Sequence, residues 1–181
     1  MVYIIIAVIA VIVIYVLAQY NSFVKLNNKV KEAFSTMDVY LKKRWDLIPN
    51  LVETVKGYTK HESSVLEQIV KLRNSSYDKM SLSEKIDTNQ QLSSGISKLM
   101  AIAENYPELK ASQNFSDLTS QLSKVEDEIA NSRKYYNAVV RNLNTKVEMF
   151  PSNIVAKMFS FKLSKMFEAN EEERNNVKVE F

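Results

Sequence analysis

His61 is the one histidine of this chain, and the pair His61-Glu62 matches the start of the HExxH pattern of zinc peptidases. That pattern needs a second histidine four residues later, which the chain lacks. A di-iron site inside a helical bundle needs two Glu-x-x-His motifs, and a single histidine cannot supply them. We therefore interpret His61 as a surface or helix-packed side chain. A lone metal-binding or pH-sensing role is the alternative.

Other catalytic chemistries find equally little support in the residue types. The chain has no cysteine, which excludes thiol nucleophiles, thiolate metal sites and disulfides. Its two glycines, Gly57 and Gly95, provide no glycine-rich loop for phosphates and no nucleophile elbow for a serine. The acidic run Glu171-Glu172-Glu173 lies in a polar tail and is typical of solvated charge. We expect no enzymatic activity, no cofactor and no metal, and the formal charge of +3 does not favour nucleic-acid binding.

Arg44 is the polar residue with the most informative position. It takes one place in a 4-3 repeat of apolar residues that spans four heptads between Val30 and Tyr58, which predicts an amphipathic helix with a coiled-coil-like seam. A buried guanidinium is costly unless it is paired, so Arg44 should meet a carboxylate from another helix, with Glu126 and Asp127 as candidates. Two interpretations stay open: an internal ion pair that sets helix register, or a contact between neighbouring copies. The candidate interaction or register-setting residues are Asn27, Arg44, Asp46, Pro49 and Asn50.

The elements that would position these residues begin with an apolar run. Residues 1–24 contain no charged side chain, and the first 18 (MVYIIIAVIAVIVIYVLA) would form a helix about 27 Å long, close to the roughly 30 Å hydrocarbon core of a bilayer. We predict a transmembrane anchor over residues 1–22. A cleaved secretory signal is the competing interpretation, but the run lacks the usual positive leading region. The residues chosen to represent the anchor are Ile4, Ile5, Ile6, Ala7, Ala10 and Ile14, of which the two alanines could mediate helix packing.

Basic residues follow the anchor directly. Between Lys25 and Arg44, six cations face only two acids, and an excess of Lys and Arg beside a membrane helix favours the cytoplasmic side. We therefore expect a single-pass protein of the cell membrane with its N-terminus outside and its bundle in the cytoplasm. The same cations could instead attract an anionic leaflet. The candidate lipid-facing residues are Lys25, Lys29 and Lys31.

Further helices are indicated by the apolar spacing downstream. The first should run from the anchor to Tyr58, with a bend or boundary at Pro49, and its pattern resumes through Leu72. Polar residues 74–89 resemble a loop, a second helix covers 92–106, and a third covers 115–147. A Met- and Phe-rich segment, 154–167, would cap the core or contact lipid or a partner. The predicted fold is all-α: a transmembrane helix continuing into an antiparallel bundle of three long helices plus a short C-terminal one. The predicted boundaries are 1–22 for the anchor, 23–167 for the bundle and 168–181 for a flexible acidic tail.

The chain closely resembles the LemA family in two long stretches. The first is Tyr20-Asn21 with VKEAFSTMDVYLKKRWDLIPNLVETVKGYTKHE, and the second is YPELKASQNFSDL with RKYYNAVVRNLNTKVEMFPSNIVAKMFSF. The most distinctive match is KRWDLIPNL, residues 43–51. The resemblance implies a membrane-anchored, all-helical bundle and supplies no agreed catalytic residues.

These features predict a membrane-anchored scaffold or interaction protein that self-associates and has no catalytic activity. A regulatory adaptor for another membrane protein, such as a protease or sensor, is the alternative. A cytoplasmic enzyme is the third alternative. The expected partners are the membrane and further copies of the chain, with another membrane protein as the partner in the adaptor alternative.

Overall fold

The computed structural model describes residues 1–59, 63–73 and 76–167, and every regular element in those ranges is helical. The elements are α1 (Val2–Lys56), α2 (Ser63–Arg73), a 3-10 turn (Tyr77–Lys79), α3 (Leu82–Ala103), α4 (Pro107–Lys110), α5 (Gln113–Glu148) and α6 (Ser152–Met158). The predicted all-α class is confirmed, and so is the continuous helix that leads from the apolar run into the bundle. His61 and the predicted acidic tail, 168–181, lie outside the described residues.

The first helix passes through Pro49 without ending there. Proline cannot donate to the carbonyl four residues earlier, yet α1 continues for seven more residues to Lys56. Pro49 is therefore an internal position of α1 and does not mark a boundary. The apolar pattern that resumes beyond Gly57 belongs to a separate helix, α2, so the described residues contain two helices, α2 and α4, besides the three long ones and the short C-terminal one predicted.

The prediction of a loop over residues 74–89 is wrong for its second half. Helix α3 begins at Leu82, because Ser81 and Glu84 form a reciprocal capping box. The Ser81 side chain accepts from the Glu84 backbone N–H at 3.3 Å, and the Glu84 carboxylate accepts from the Ser81 backbone N–H at 2.7 Å. These bonds to Ser81 lower the pKa of Glu84. Two backbone donors that a helix start leaves unpaired are thereby satisfied.

The chain divides into two compact units, and helices α1 and α5 contribute to both. In the first unit (1–37 and 131–166), α1 and α5 run antiparallel: Phe34 meets Tyr136 with ring centroids 6.0 Å apart, while Phe23 lies under the Lys146 ammonium at 5.2 Å. The chain after α6 returns along these helices, since Asn144 exchanges two hydrogen bonds with Ser164 at 2.8 and 2.9 Å. The buried core of this unit includes Phe23, Val30, Ala33, Tyr136, Val140, Leu143, Val155 and Ala156.

The second unit contains residues 38–130, including the end of α1, α2, α3, α4 and the start of α5. Helices α2 and α3 pack closely at Gly95, where an added Cβ would lie 3.0 Å from Cγ1 of Ile69. Its core is aliphatic apart from Trp45, Tyr77 and Phe115, with Leu41, Ile48, Leu51, Val55, Ile69, Ile86, Leu92, Leu99, Leu109, Leu122 and Ile129 among its buried residues. Two polar side chains, Arg44 and Asn89, are fully buried within it.

Candidate functional site

A buried polar network lies inside the second unit, and we call Arg44, Asn89, Ser93 and Glu126 the Arg44 network. Nη1 of Arg44 donates to both carboxylate oxygens of Glu126, at 2.8 and 3.0 Å, and to the Ser93 hydroxyl at 2.8 Å. Nη2 donates to the side-chain and backbone oxygens of Asn89 at 2.7 and 3.0 Å. The guanidinium thus joins α1, α3 and α5 through one planar group.

The acceptors of this network are themselves held in place by α3. The Asn89 amide donates to the carbonyl of Lys85 at 2.8 Å, and the Ser93 hydroxyl donates to the carbonyl of Asn89 at 3.1 Å. Arg44 has no solvent exposure, whereas the side chain of Glu126 is 36% exposed. The carboxylate therefore keeps part of its hydration while it neutralises the guanidinium, which lowers the desolvation cost of the pair.

A second polar cluster, Asp38 with Tyr77 and Lys85, lies in the same unit. The Tyr77 hydroxyl donates to one oxygen of Asp38 at 2.5 Å, and the Lys85 ammonium donates to the other at 2.7 Å. Lys85 also lies 4.5 Å from the centre of the Tyr77 ring, and Trp45 packs on that ring at 5.2 Å. Burial, followed by the bond to Asp38, raises the pKa of Tyr77. This phenol is consequently a neutral donor that fastens the 76–80 segment to α1.

Both clusters join α1 to other segments, although Nε of Arg44 is buried without a hydrogen-bond partner among the described residues. The guanidinium of Arg44 is covered on all sides by its own chain, so it presents no surface to a ligand or to a second copy. Within the described ranges, no three acidic or histidine side chains converge in a way that could hold a metal ion. The arrangement can fix the register of α1 against α3 and α5, which is the internal interpretation of Arg44.

The predicted anchor residues are not covered by the chain. Ile4, Ile5, Ile6 and Ile14 are 58–68% exposed, and Ala7 and Ala10 are exposed as well. None of the most apolar 18-residue window of α1 is buried, and the helix is long and apolar enough to be a candidate membrane span.

The predicted lipid-facing lysines are all exposed but do not form one face. Lys25 and Lys29 lie one turn apart on the same side of α1, whereas Lys31 points about 160° away from Lys29 at 100° per residue. The three lysines therefore form a pair, Lys25 and Lys29, plus a separate residue, Lys31. Asn27, between them, is half-buried.

Three of the other predicted interaction residues lie away from the Arg44 network. Asp46 is exposed and pairs with Lys42 one turn earlier at 2.7 Å, so it is not a partner of Arg44. Pro49 is half-buried, and Asn50 is exposed, with its carbonyl accepting from Thr54 at 2.7 Å. The structure therefore brings together only Arg44 of this group with a partner from another helix.

Asn89 was missed because residues 74–89 were interpreted as a loop, whereas Ser93 lay inside the predicted helix 92–106 and was not singled out. The Ser81-x-x-Glu84 signature was the available signal, since it places the start of α3 at Leu82 and therefore Asn89 inside a helix. No comparable signal marks Asp38, Tyr77 and Lys85, whose contacts join residues 39 and 47 positions apart.

The Met- and Phe-rich segment divides between buried and exposed side chains. Val155, Ala156 and Phe167 are buried, and Phe161 stacks on Phe23 with centroids 4.8 Å apart. Part of the segment therefore covers the core, as the first interpretation expected. Its exposed apolar members are Ile154, Met158, Phe159 and Leu163.

Comparisons with known proteins give one family and several relatives. A sequence profile described as the LemA family matches residues 33–181. Protein LemA of Metamycoplasma hominis is 29% identical over 161 residues, covering 87% of this chain and 72% of that protein. Magnetosome protein MamQ 2 of Paramagnetospirillum magneticum is 24% identical, covering 84% of this chain and 65% of its own length. Magnetosome protein MamQ of Magnetospirillum gryphiswaldense is 23% identical, with coverages of 83% and 65%. The chain spans just under two thirds of the length of these two magnetosome proteins.

Proposed function

The chain belongs to the LemA family, and on that premise we propose that it is a non-catalytic, membrane-anchored scaffold that presents a helical bundle at the cytoplasmic surface and self-associates through its anchor. The observation that carries this proposal is the bare apolar start of α1. Eleven Val, Ile and Leu side chains between Val2 and Leu17 are at least half exposed. Covering such side chains is worth about 1.5–3 kcal/mol each, so roughly 15–30 kcal/mol favours their transfer from water into lipid.

The buried polar groups support a structural role for the bundle. Arg44, Asn89 and Asp38 all direct their polar atoms at neighbouring helices of the second unit. An enzyme of this size would be expected to aim such groups into an open cleft, where a substrate could reach them. The proposal of a non-catalytic protein rests on this arrangement.

Self-association is proposed for the face of the anchor that carries Ala7 and Ala10. Small residues let two helices approach closely in lipid, where packing rather than the hydrophobic effect drives association; Ala7 and Ala10 supply such positions, although the anchor has no GxxxG motif. Both alanines are exposed on the chain itself, so this face is available to a second copy.

Disulfide crosslinking in native membranes tests this assembly, because the chain has no cysteine of its own. Ala10→Cys should give homotypic dimers. The matched control is Ile12→Cys, which lies at nearly the same depth but about 160° around the helix and is 55% exposed. Equal crosslinking at both positions, or a strictly monomeric particle in nanodiscs, would refute self-association through this face.

The adaptor role is the second candidate, and the same experiment separates it from the scaffold. An adaptor predicts one heterotypic band for Ala10→Cys in place of homotypic dimers.

The cytoplasmic orientation rests on the cations that follow the anchor, and protease treatment of intact cells tests it. Digestion of the bundle from outside would overturn that orientation.

A further inference from the structure

The turn between α5 and α6, with the exposed side of α6, forms an apolar surface in the first unit. We call Met149, Phe150, Ile154 and Met158 the apolar corner; they are 57, 76, 54 and 61% exposed. The opposite side of α6 is firmly packed, since Val155 and Ala156 are buried. The Ser152 hydroxyl donates to the carbonyls of Lys146 and Met149 at 2.7 and 2.8 Å. The apolar corner is therefore held in a fixed position while its own side chains are more than half exposed.

The apolar corner lies beside the last turns of the apolar run. Tyr15 and Gln19 of α1 line one groove together with Met149 and Phe150. A helix perpendicular to the bilayer needs about 20 residues to cross the hydrocarbon core, so a span that begins at Val2 ends near Asn21. Tyr15 and Gln19 then lie within its last two turns. Phe150, in the same groove, is at the level of the lipid boundary.

The chain after α6 runs alongside α1, away from the lipid boundary. Phe159 packs on Tyr20 with centroids 4.8 Å apart, Phe161 stacks on Phe23 at the same distance, and the carbonyl of Lys165 accepts from Tyr136 at 2.9 Å. Because α5 runs antiparallel to α1 in this unit, its C-terminal end points to the membrane side. Phe150 is thus at the turning point of the chain and is the most exposed of the four corner residues.

The charges around the apolar corner match an anionic surface. Residues 149–167 contain three cations and no acid, and an acid flanks this segment at each end in sequence, Glu148 and Glu168. Arg141, which is exposed, lines the groove beside the corner, whereas the Lys146 ammonium is already engaged by the Ser22 hydroxyl and the Phe23 ring. The long stem of an arginine can lie along apolar surface while its charged end reaches a phosphate group. Lys157 and Lys162 are exposed and follow the corner closely in sequence, whereas Lys165 lies beside Tyr136, about 20 Å farther along α5.

We propose that the apolar corner is a second membrane contact: its four side chains enter the interfacial layer of the leaflet from which α1 emerges, and the two exposed lysines that follow it, Lys157 and Lys162, lie on anionic headgroups. The inference rests on the proposed anchoring of α1 and adds a second point of attachment. One helix alone leaves a protein free to rotate and tilt, whereas two contacts fix the orientation of the first unit. Interfacial insertion of this kind combines a shallow apolar face with cations at its edge.

Spin-label accessibility tests the inference on the full chain. A nitroxide is placed on single-cysteine variants in vesicles of mixed phosphatidylcholine and phosphatidylglycerol, and its collisions with oxygen and with a water-soluble nickel chelate are measured. Phe150→Cys and Met158→Cys should favour oxygen, as Ile9→Cys within the span should. The matched control is Tyr135→Cys, which is 56% exposed and lies about 20 Å up α5, and it should favour the nickel chelate.

The possible outcomes distinguish a failure of the corner contact from a failure of the proposed anchoring of α1. If the Ile9 label favours oxygen while the Phe150 and Met158 labels favour the nickel chelate, the apolar corner lies in water and the inference is wrong, although the anchor stands. If both reagents are excluded from the Phe150 label, a second copy or another protein covers the corner, and the inference is equally overturned. If the Ile9 label itself favours the nickel chelate, the proposed anchoring fails, and the inference fails with it.

Lipid charge supplies an independent measurement. Each cation near an anionic leaflet should change about fivefold the ratio of molecules whose apolar corner is inserted in the leaflet to molecules whose corner is in water. Replacing Lys157 and Lys162 with glutamine should therefore move the Phe150 label towards its value in pure phosphatidylcholine. The corresponding replacement of two exposed lysines in the second unit, Lys71 and Lys98, should leave that label unchanged. An equal effect of both replacements would contradict the inference.

Discussion

Replacing Glu126 with glutamine removes the negative charge opposite Arg44 while keeping the size of the side chain and one acceptor oxygen. The wild-type carboxylate accepts two bonds from the same guanidinium nitrogen, at 2.8 and 3.0 Å. The variant leaves a fully buried guanidinium with Asn89 and Ser93 as its oxygen acceptors, together with the neutral amide. The positive charge of Arg44 then lacks any counter-charge within the Arg44 network.

The size of the effect follows from the exposure of the two partners. Removing one member of a fully buried pair costs about 3–5 kcal/mol, whereas exposed pairs are worth about 0–1 kcal/mol. Arg44 has no exposure and the Glu126 side chain is 36% exposed, so the pair lies between these limits. We expect Glu126→Gln to lower the free energy of unfolding by about 2 kcal/mol. For a chain of this length that corresponds to a fall in Tm of about 4–8 °C.

Thermal unfolding of the full chain in nanodiscs, followed by helical circular dichroism, measures this change. Asp46→Asn is the matched control, because it makes the same carboxylate-to-amide change in a pair whose side chains are 41% and 55% exposed. The Asp46→Asn change should lower the free energy of unfolding by no more than about 0.5 kcal/mol. Its low cost would show that the loss at Glu126 is due to the burial of Arg44.

A double-mutant cycle decides whether the two residues act as a pair. Arg44→Met should be destabilising by itself, but combining it with Glu126→Gln should cost less than the sum of the two changes. We expect a coupling energy of at least about 1 kcal/mol for residues in one network. Additive effects, or a Glu126→Gln cost equal to that of Asp46→Asn, would refute the reasoning.

Further expected outcomes concern single residues of the bundle. Burial raises the pKa of Tyr136 to about 12, so the folded state holds this proton more tightly than the unfolded state, and stability should fall as the pH rises from 10 to 12. Tyr136→Phe should flatten that decline in alkaline unfolding curves, and an unchanged slope would argue against the assignment. Gly95→Ile should lower the free energy of unfolding by about 1–3 kcal/mol, because a Cβ at this position lies only 3.0 Å from Ile69. Gly57→Ala, whose Cβ would be 3.5 Å from the nearest atom, should change the free energy of unfolding by no more than about 0.5 kcal/mol. Thermal unfolding measures both. Ser81→Ala should cost about 1 kcal/mol and speed hydrogen exchange in the first turn of α3, and unchanged exchange there would contradict the capping role.

Much of the helical framework could be predicted because its signals are local in sequence. The apolar run and the 4-3 spacing are properties of α1 alone, and they predicted its continuity from the first residues into the bundle. The need of Arg44 for a carboxylate also followed from its seam position, and Glu126 was one of two candidates. The structure decides between Glu126 and Asp127 because neighbouring residues on a helix differ by 100° in direction, so only one can face α1.

The contacts that define each polar cluster were decided by tertiary packing. Asn89 is polar and would be expected at a surface, and only the meeting of α1 with α3 makes it a buried acceptor for Arg44. The Asp38 cluster likewise depends on segments far apart in sequence. The start of α3 is a different case, since Ser81 and Glu84 carried a local signal that the polar composition around them concealed.

The sequence by itself determined that this chain has an apolar span, that the span continues into an amphipathic helix, and that Arg44 needs a counter-charge. These conclusions hold because hydrophobicity and helical periodicity act within one segment. Only the tertiary structure decided which side of α6 is buried, because the Met, Phe and Lys residues of that segment do not sort onto one helical face. Packing of Val155 and Ala156 into the first unit leaves Phe150 and Met158 outside it, beside the end of the span. The cost of leaving those side chains in water is the physical reason to look for the membrane there.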